Sequence, residues 1–103
     1  MLAKRLQQLP RHRLPDGTVA IEATTALARL LGLAGLERTD IPARHGLLLR
    51  RCRSVHTFGM RFDLDLIFLS PGGSVIAVEH AVPPARIRTR RDAAAVLERP
   101  SAG

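Results

Sequence analysis

The chain has 103 residues and a formal net charge of +7, with 16 lysines and arginines against nine aspartates and glutamates. This length predicts one domain over residues 1–103, with a modest core and no room for a second domain. No apolar run approaches the roughly 20 residues of a membrane-spanning helix, and the start lacks the apolar stretch of a secretory signal. We therefore predict a small soluble, cytoplasmic protein without a membrane span, in which residues 1–13 form a flexible basic N-terminus.

The composition also limits cofactors and partners. A single cysteine, Cys52, excludes an internal disulfide and cannot build a structural zinc site alone, so we predict no metal and no cofactor. The positive charge suggests an acidic partner such as nucleic acid. However, the chain has no tryptophan or tyrosine and three phenylalanines, so the aromatic platforms on which single-strand binders stack bases are scarce. Nucleic acid is therefore not the favoured partner.

The first half of the chain contains two signals that predict strands. The residues Pro-Asp-Gly at 15–17 lie between two short alternating stretches, which predicts a tight turn between two strands. Further on, the leucines at 47–49 predict a short strand, because the run is too brief for a buried helix. Both predictions favour a chain built mainly from strands.

A short amphipathic helix is predicted between these elements. Thr24 or Thr25 can cap its start and Gly35 lies near its end. Over about three turns, a stripe of apolar side chains recurs at helical spacing, formed by Leu27, Leu30, Leu31 and Ala34. Such a stripe faces the core in most helices, so we expect these leucines to be buried rather than to bind a partner.

The segment from Ser54 to His80 predicts two strands joined by a turn at residues 70–73. Side chains alternate along a strand, so one face of the first strand is wholly apolar and carries Phe58, Met60, Phe62, Leu64, Leu66 and Phe68. The opposite face is polar in its first half, with Arg61, Asp63 and Asp65, and apolar in its second half. We therefore expect this strand to pass from between two packed layers into a groove.

The turn decides which residues of the two strands meet. With Pro71 and Gly72 as its central pair, His80 lies opposite Asp63; with Gly72 and Gly73, His80 lies opposite Asp65. Either register places His80 beside an aspartate, so Arg61, Asp63, Asp65 and His80 should form one polar cluster. Gly59 predicts a bulge in the first strand, with close approach of a ligand to the backbone as the alternative.

One long part of the chain resembles a known family, the bacterial and archaeal domain of unknown function 192. The resemblance runs from about Thr18 to the end, is most specific in SVHTFGMRF, and rests on the stretches LARLLGL, HGLLLRRCRSVHTFGMRFDLDLIFLSPGGSVIAVEHAVPP and AVLERPSAG. It implies a mainly β (α+β) fold, a small antiparallel barrel-like sheet with one short helix, and no established activity. Family members are sometimes exported.

The chain ends before the helical turn and closing strand with which members of this family usually continue. If that segment closes the sheet, its absence leaves an open edge. We therefore expect either a homo-oligomer that pairs through this open sheet edge or a truncated product, and the sequence leaves both open.

The favoured interpretation is a non-enzymatic binding or accessory domain for a small polar ligand or a peptide. Its predicted ligand-binding residues line a groove on one face of the hairpin: His56, Thr57, Arg61, Asp65 and His80. In this hypothesis Arg61 holds an anionic group, Asp65 accepts a hydrogen bond or fixes Arg61, and the two histidines orient the ligand.

Three alternatives use the same region or its neighbour. A hydrolase would pair Cys52 with His56 as nucleophile and base, although no hydrolase motif surrounds Cys52. A metal-dependent enzyme would draw its ligands from His56, His80, Asp65 and Asp63. An anion or nucleic-acid site would use the arginine-rich strand with Arg86, Arg88 and Arg90, whose simpler role is to protect an edge strand from aggregation.

Overall fold

The computed structural model describes residues 2–102. Within that range the chain is mainly β, with eight strands, two short α-helices and one 3₁₀ turn. In chain order the elements are α1 (Lys4–Gln7), β1 (Arg11–Arg13), β2 (Val19–Glu22), α2 (Ala26–Leu31), the 3₁₀ turn (Arg38–Asp40), β3 (His45–Arg50), β4 (Ser54–His56), β5 (Leu64–Leu69), β6 (Val75–Val82), β7 (Ile87–Thr89) and β8 (Ala95–Pro100). None of the helices in residues 2–102 has the length and apolar character to cross a membrane.

Six strands form one open, mixed sheet in the order β1-β2-β3-β8-β5-β6, and β4 pairs with β7 in a separate two-stranded sheet. The mainly β fold is thus confirmed, whereas the expected antiparallel barrel fits in part. The sheet does not close, and β2 and β3 are parallel while the other neighbours are antiparallel. The parallel pair is possible because residues 23–44, with α2 and the 3₁₀ turn, form a connection long enough to cross over.

The first predicted hairpin is confirmed. β1 and β2 pair in antiparallel register, with His12 opposite Ala20. The amide of Gly17 donates to the Leu14 carbonyl at 2.9 Å, and the amide of Thr18 donates to Asp16 Oδ1 at 2.8 Å. Asp16, whose short side chain accepts a hydrogen bond, and Gly17 therefore form the turn that closes this hairpin.

The second hairpin combines features of both predicted registers. The Gly73 amide donates to the Ser70 carbonyl at 2.9 Å, so Pro71 and Gly72 are the central pair of the turn. An irregularity between Phe68 and Leu69 then shifts the pairing by one residue, and a second one interrupts the ladder between Leu64 and Leu66. The register that results is the one that was predicted to bring His80 to Asp65.

The apolar face of the first long strand is buried as predicted, except at its start. Five members of that face are buried: Met60, Phe62, Leu64, Leu66 and Phe68. Phe58, by contrast, is 50% exposed, because the strand begins at Leu64 rather than at residue 58. Residues 57–60 form a turn in which the Met60 amide donates to the Thr57 carbonyl, and Gly59 (φ +77°) occupies it. Gly59 therefore belongs to a turn and not to the predicted bulge.

The predicted core stripe of the helix is wrong for Leu27 and Leu30, whereas Ala34 is partly buried against the main core. α2 spans Ala26–Leu31, has no buried residue, and leaves Leu27 and Leu30 64% and 66% exposed. The predicted cap is present, since Thr25 Oγ1 accepts the Ala28 amide at 3.0 Å. The chain leaves the helix at Gly32, and the buried leucines of this region come after it, at Leu33 and Leu36. The helical pattern therefore continues in sequence beyond the point where the helix ends.

Residues 2–13, expected to form most of a flexible basic N-terminus, contain α1 and β1; Met1 lies outside the described residues. Leu6 and Leu9 belong to the main core. The Arg5 guanidinium donates to the carbonyls of Gly32 and Ala34, at 2.9 and 2.7 Å. This segment thus packs against the connection between α2 and the 3₁₀ turn.

Both faces of the large sheet carry apolar side chains. The main core lies on the face with Leu66, Phe68 and Val96 and extends to α1 and Leu33. A smaller cluster on the opposite face contains Ala20, Leu48, Ile67 and Leu97. β8 contributes to both clusters and pairs with β3 and β5, so it is a central strand.

The close packing of β3 against β8 can be tested at Gly46. A Cβ atom there would lie 3.0 Å from the Glu98 carbonyl oxygen and 3.0 Å from Leu97 Cδ1. Because β8 is held on both sides, we expect G46A to lower the free energy of unfolding by about 1–3 kcal/mol in urea denaturation. G72A is the matched control, because its nearest contact is Ser70 Oγ at 3.9 Å. Equal midpoints for the two variants would contradict this packing.

Candidate functional site

The structure joins two of the predicted binding residues. His80 Nδ1 lies 3.5 Å from Asp65 Oδ2, which agrees with one of the two predicted registers, and Arg99 Nε lies 3.9 Å from the same oxygen. Asp65 Oδ1 accepts the Ala81 amide at 3.0 Å. Burial alone would raise the pKa of Asp65, but hydrogen bonds from Ala81, Ser101 and His80 outweigh it and hold this pKa below its ordinary value. The carboxylate is thus well supplied with protein partners, while the His80 side chain is 71% exposed.

Two other predicted residues lie elsewhere. Arg61 forms an exposed ion pair with Glu37, at the start of the 3₁₀ turn. Thr57 is fully buried, and its hydroxyl donates to the Pro83 carbonyl at 2.7 Å and accepts the Arg86 amide at 2.8 Å. The expected cluster is therefore divided: Asp65 and His80 contact each other, whereas Arg61 and Thr57 contact other parts of the chain.

His56, the fifth predicted residue, is fixed through both ring nitrogens. Its Nδ1 accepts the Phe58 amide at 3.1 Å, and its Nε2 donates to the Leu30 carbonyl at 2.9 Å. The rings of His56 and Phe58 pack at 5.9 Å in a tilted arrangement. These contacts tie the end of β4 to the last turn of α2 and hold the imidazole at the wall of a pocket.

That pocket has a volume of about 290 Å³ and lies between α2, β4 and the central strands of the sheet. We call it the Glu98 pocket. Its lining residues are Arg29, Leu30, Gly32, Leu49, Cys52, Ser54, Val55, His56 and Glu98.

Glu98 is the unusual residue of this pocket. It is 2% exposed, and its Oε1 has no hydrogen-bond partner among residues 2–102. Burial raises the pKa of Glu98 to about 8, so the carboxyl is mostly protonated at neutral pH. Pairing to Leu47 on one side and to Leu66 on the other fixes its backbone. A buried and unpartnered polar atom is costly, so it needs an explanation beyond packing.

Gly32 brings the backbone directly against this carboxyl. A Cβ atom at Gly32 would lie 2.9 Å from Glu98 Oε1 and 3.5 Å from Met60 Cε. Gly32 also has a φ of +55°, a conformation that side-chain-bearing residues rarely adopt. The glycine that ends α2 therefore leaves no side chain between the helix end and the carboxyl.

Sequence reasoning missed Glu98. None of the predicted site residues lies on β8, the strand that carries Glu98. The available signal was the alternation of side chains along the strand. Glu98 lies two residues after Val96 and shares its face, which is the core side of β8. A charged residue at a core-facing position marks a candidate site once the central place of the strand is known.

The geometry does not assemble the alternative sites. The Cys52 thiol donates to the Ser54 carbonyl at 3.2 Å; burial raises its pKa, and the ring nitrogens of His56 are engaged with other groups. No group of three or more histidine, cysteine, aspartate or glutamate side chains that could hold a metal occurs within residues 2–102. The proposed ligand set of His56, His80, Asp65 and Asp63 is therefore not brought together.

The arginine-rich strand is β7, which pairs with β4 rather than with the large sheet. Arg88 Nε lies 2.9 Å from Glu79 Oε1, and the Arg86 guanidinium donates to backbone carbonyls of its own loop. Two of the three arginines proposed for an anion site are thus engaged within the chain.

The hydroxyl of Thr57 is expected to stabilise the fold. T57V leaves a buried acceptor at Pro83 and a donor at Arg86 without their partner, so we expect a loss of about 1–3 kcal/mol in unfolding free energy. T89V is the control, because the Thr89 hydroxyl bonds Ser54 at an exposed position and should matter by less than about 0.5 kcal/mol. If the two variants unfold at the same urea concentration, the hydroxyl does not support the fold.

Glu98 is expected to make stability fall as pH rises. Its pKa is 4.5 in an ordinary environment and about 8 in the folded chain, so between these values the folded state holds a proton that the unfolded state has lost. The contribution of Glu98 to the free energy of unfolding is therefore fully present below pH 4.5. It declines by roughly 1 kcal/mol per pH unit up to pH 8. E98Q removes this decline.

Urea midpoints at pH 5, 6, 7 and 8 measure the effect. E79Q serves as the control, because Glu79 is partly exposed and paired with Arg88. All other residues are shared by the three proteins, so the difference between E98Q and the other two reports Glu98. Parallel curves for the wild type and E98Q would show that Glu98 ionises normally.

Two crystal structures are similar to this chain in fold. A crystal structure of a "putative transcription regulator" from Sinorhizobium meliloti 1021 matches with a TM-score of 0.70 and 22% identity, covering 88% of this chain and 78% of that one. A protein of unknown function from Novosphingobium aromaticivorans DSM 12444 matches with a TM-score of 0.64 and 14% identity, covering 99% and 89%. At these identities the likeness concerns the fold alone.

No curated protein matches the chain. The model of the family DUF192, described as "Uncharacterized ACR", matches residues 11–102, which is nearly the whole chain and agrees with the resemblance found in the sequence. The chain belongs to the DUF192 family.

Proposed function

We propose that this chain is a non-enzymatic binding domain for a small polar ligand and that the Glu98 pocket is its site. The observation that carries the proposal is Glu98, which lines a 290 Å³ pocket and whose buried carboxyl has an unpartnered Oε1. Buried polar atoms nearly always have a partner, and a donor group of a ligand would supply one here. The proposal keeps the small polar ligand and His56 of the sequence prediction. It moves the site from the sheet face that carries Asp65 to the opposite face, which carries Glu98.

The other walls suit a small molecule. His56 is held by two hydrogen bonds, so its ring offers a fixed surface. Leu30, Leu49 and Val55 supply apolar surface, and the volume is at the lower end of the range for ligand sites, roughly 300–1,000 Å³. A few polar groups within mostly apolar walls are typical of specific small-molecule sites.

A binding role is favoured over an enzymatic one by the state of Cys52. A nucleophilic thiol needs a lowered pKa and a base within hydrogen-bond reach. Burial raises the pKa of the Cys52 thiol, and the His56 nitrogens bond Leu30 and Phe58. Cys52 and His56 therefore line the pocket without forming a catalytic pair.

The remaining predicted sites stay predictions. His80 is largely exposed beside Asp65 and Arg99, so a second ligand site at this surface is possible. Self-association through an open sheet edge would use β6, which ends the sheet and exposes Val75, Ile76 and Val78. An anion site on β7 has weaker support, because Arg88 is already paired with Glu79.

A chemical-shift titration tests the pocket. We would add small amines, amides, alcohols, carboxylates and amino acids singly to ¹⁵N-labelled protein. At least one class should shift the amides of Gly32, Val55 and Glu98 together. E98L, which replaces the carboxyl by an apolar group of similar size, should abolish these shifts, while E79L should keep them. If no compound shifts these amides, or if E98L still binds, the Glu98 pocket is not the site.

A further inference from the structure

We propose that the ligand of the Glu98 pocket is a small zwitterion, whose ammonium group donates to Glu98 at the floor and whose carboxylate pairs with Arg29 at the mouth. This inference rests on the proposed function and names the ligand class of the same site. It follows from the positions of the two opposite charges that line the pocket, since Glu98 is buried and Arg29 is exposed.

The floor of the pocket selects a donor, and a cation is the donor that fits best. Glu98 Oε1 has no partner among the described residues, and Gly32 beside it puts no side chain between the carboxyl and the end of α2. A neutral donor would satisfy the hydrogen bond, but it would not supply the positive charge that a buried Glu98 carboxyl needs in order to ionise. An ammonium group supplies both, and charge-assisted hydrogen bonds are about twice as strong as neutral ones.

The mouth of the pocket selects an anion. Arg29 lies in the last turn of α2, and its guanidinium donates to the Arg51 carbonyl at 3.3 Å. None of the ion pairs found in residues 2–102 includes Arg29. A guanidinium has five N–H donors, so a carboxylate can be bound while the contact with Arg51 is kept.

The two charges are near enough for one small molecule to span them. Arg29 and Glu98 both line the same pocket, whose volume is about 290 Å³. A ligand with a cation alone would place its charge in the same pocket as Arg29, and an anion alone would approach the Glu98 carboxyl. A zwitterion gives each protein charge an opposite partner, and Leu49 and Val55 leave apolar surface for an aliphatic group.

Binding of this ligand should release a proton. At pH 7 the buried Glu98 is mostly protonated, and an ammonium group favours its ionised form. The other titratable or charged groups that line the pocket are Cys52 on the loop after β3, His56 on β4 and Arg29 on α2. Proton release that disappears in E98Q would therefore come from Glu98 and not from Cys52 or His56.

Isothermal titration calorimetry with three matched probes tests the inference. The probes are L-valine, isobutylamine, which lacks the carboxylate, and 3-methylbutanoate, which lacks the ammonium group. We expect valine to bind about tenfold or more tightly than either single-charge probe, with an enthalpy at pH 7 that changes with the ionisation enthalpy of the buffer. E98Q should abolish the buffer dependence, and R29Q should remove the preference for valine over isobutylamine. R53Q is the control, because Arg53 is exposed and lies outside the pocket lining.

The outcomes separate this inference from the proposed function. If isobutylamine or a neutral amide shifts the Gly32, Val55 and Glu98 amides and valine does not, the pocket binds a ligand but the zwitterion inference is wrong. Equal affinities of valine and isobutylamine, or no proton release, would also overturn it. Failure of every probe class at these amides would overturn both proposals.

Discussion

The central place of β8 is the constraint on which the rest of the molecule depends. The last strand of the described chain pairs with β3 on one side and β5 on the other, so it completes the sheet between segments that precede it. Its alternation sends Val96 and Glu98 to the main core and Leu97 to the cluster on the opposite face. Because both sides of β8 are hydrogen-bonded, Glu98 cannot reach solvent by moving the backbone. The buried carboxyl is thus a consequence of the topology.

Two buried or nearly buried carboxylates in this small domain have opposite environments. Asp65 is supplied with an amide, a hydroxyl and a histidine, and its pKa is held below the ordinary value. Glu98 has no such partners, and burial raises its pKa to about 8. The first arrangement stabilises the hairpin between β5 and β6, as expected of a structural group. The second leaves a buried carboxyl without a hydrogen-bond partner in a residue that lines a pocket, which is more typical of a binding site.

The short length of α2 shapes the pocket as much as the sheet does. The helix ends at Leu31, and Gly32 turns the backbone against the Glu98 carboxyl. Leu33 then enters the core, while Leu27 and Leu30 remain exposed next to Arg29. The sequence pattern predicted a helix of about three turns with its leucine stripe in the core. The actual break leaves apolar side chains and one guanidinium near the opening of the pocket.

The sequence by itself determined the features that depend on near neighbours. The turn at Pro15–Gly17, a threonine cap for α2, the buried face from Met60 to Phe68 and the meeting of His80 with an aspartate all follow from spacing within one hairpin or one helical turn. Only the tertiary structure decided the parallel pairing of β2 with β3, the central position of β8 and the burial of Glu98. Local periodicity states which residues share a face, but it does not state which distant strand lies alongside. The candidate site therefore became visible only when the strand order showed which face of β8 was buried.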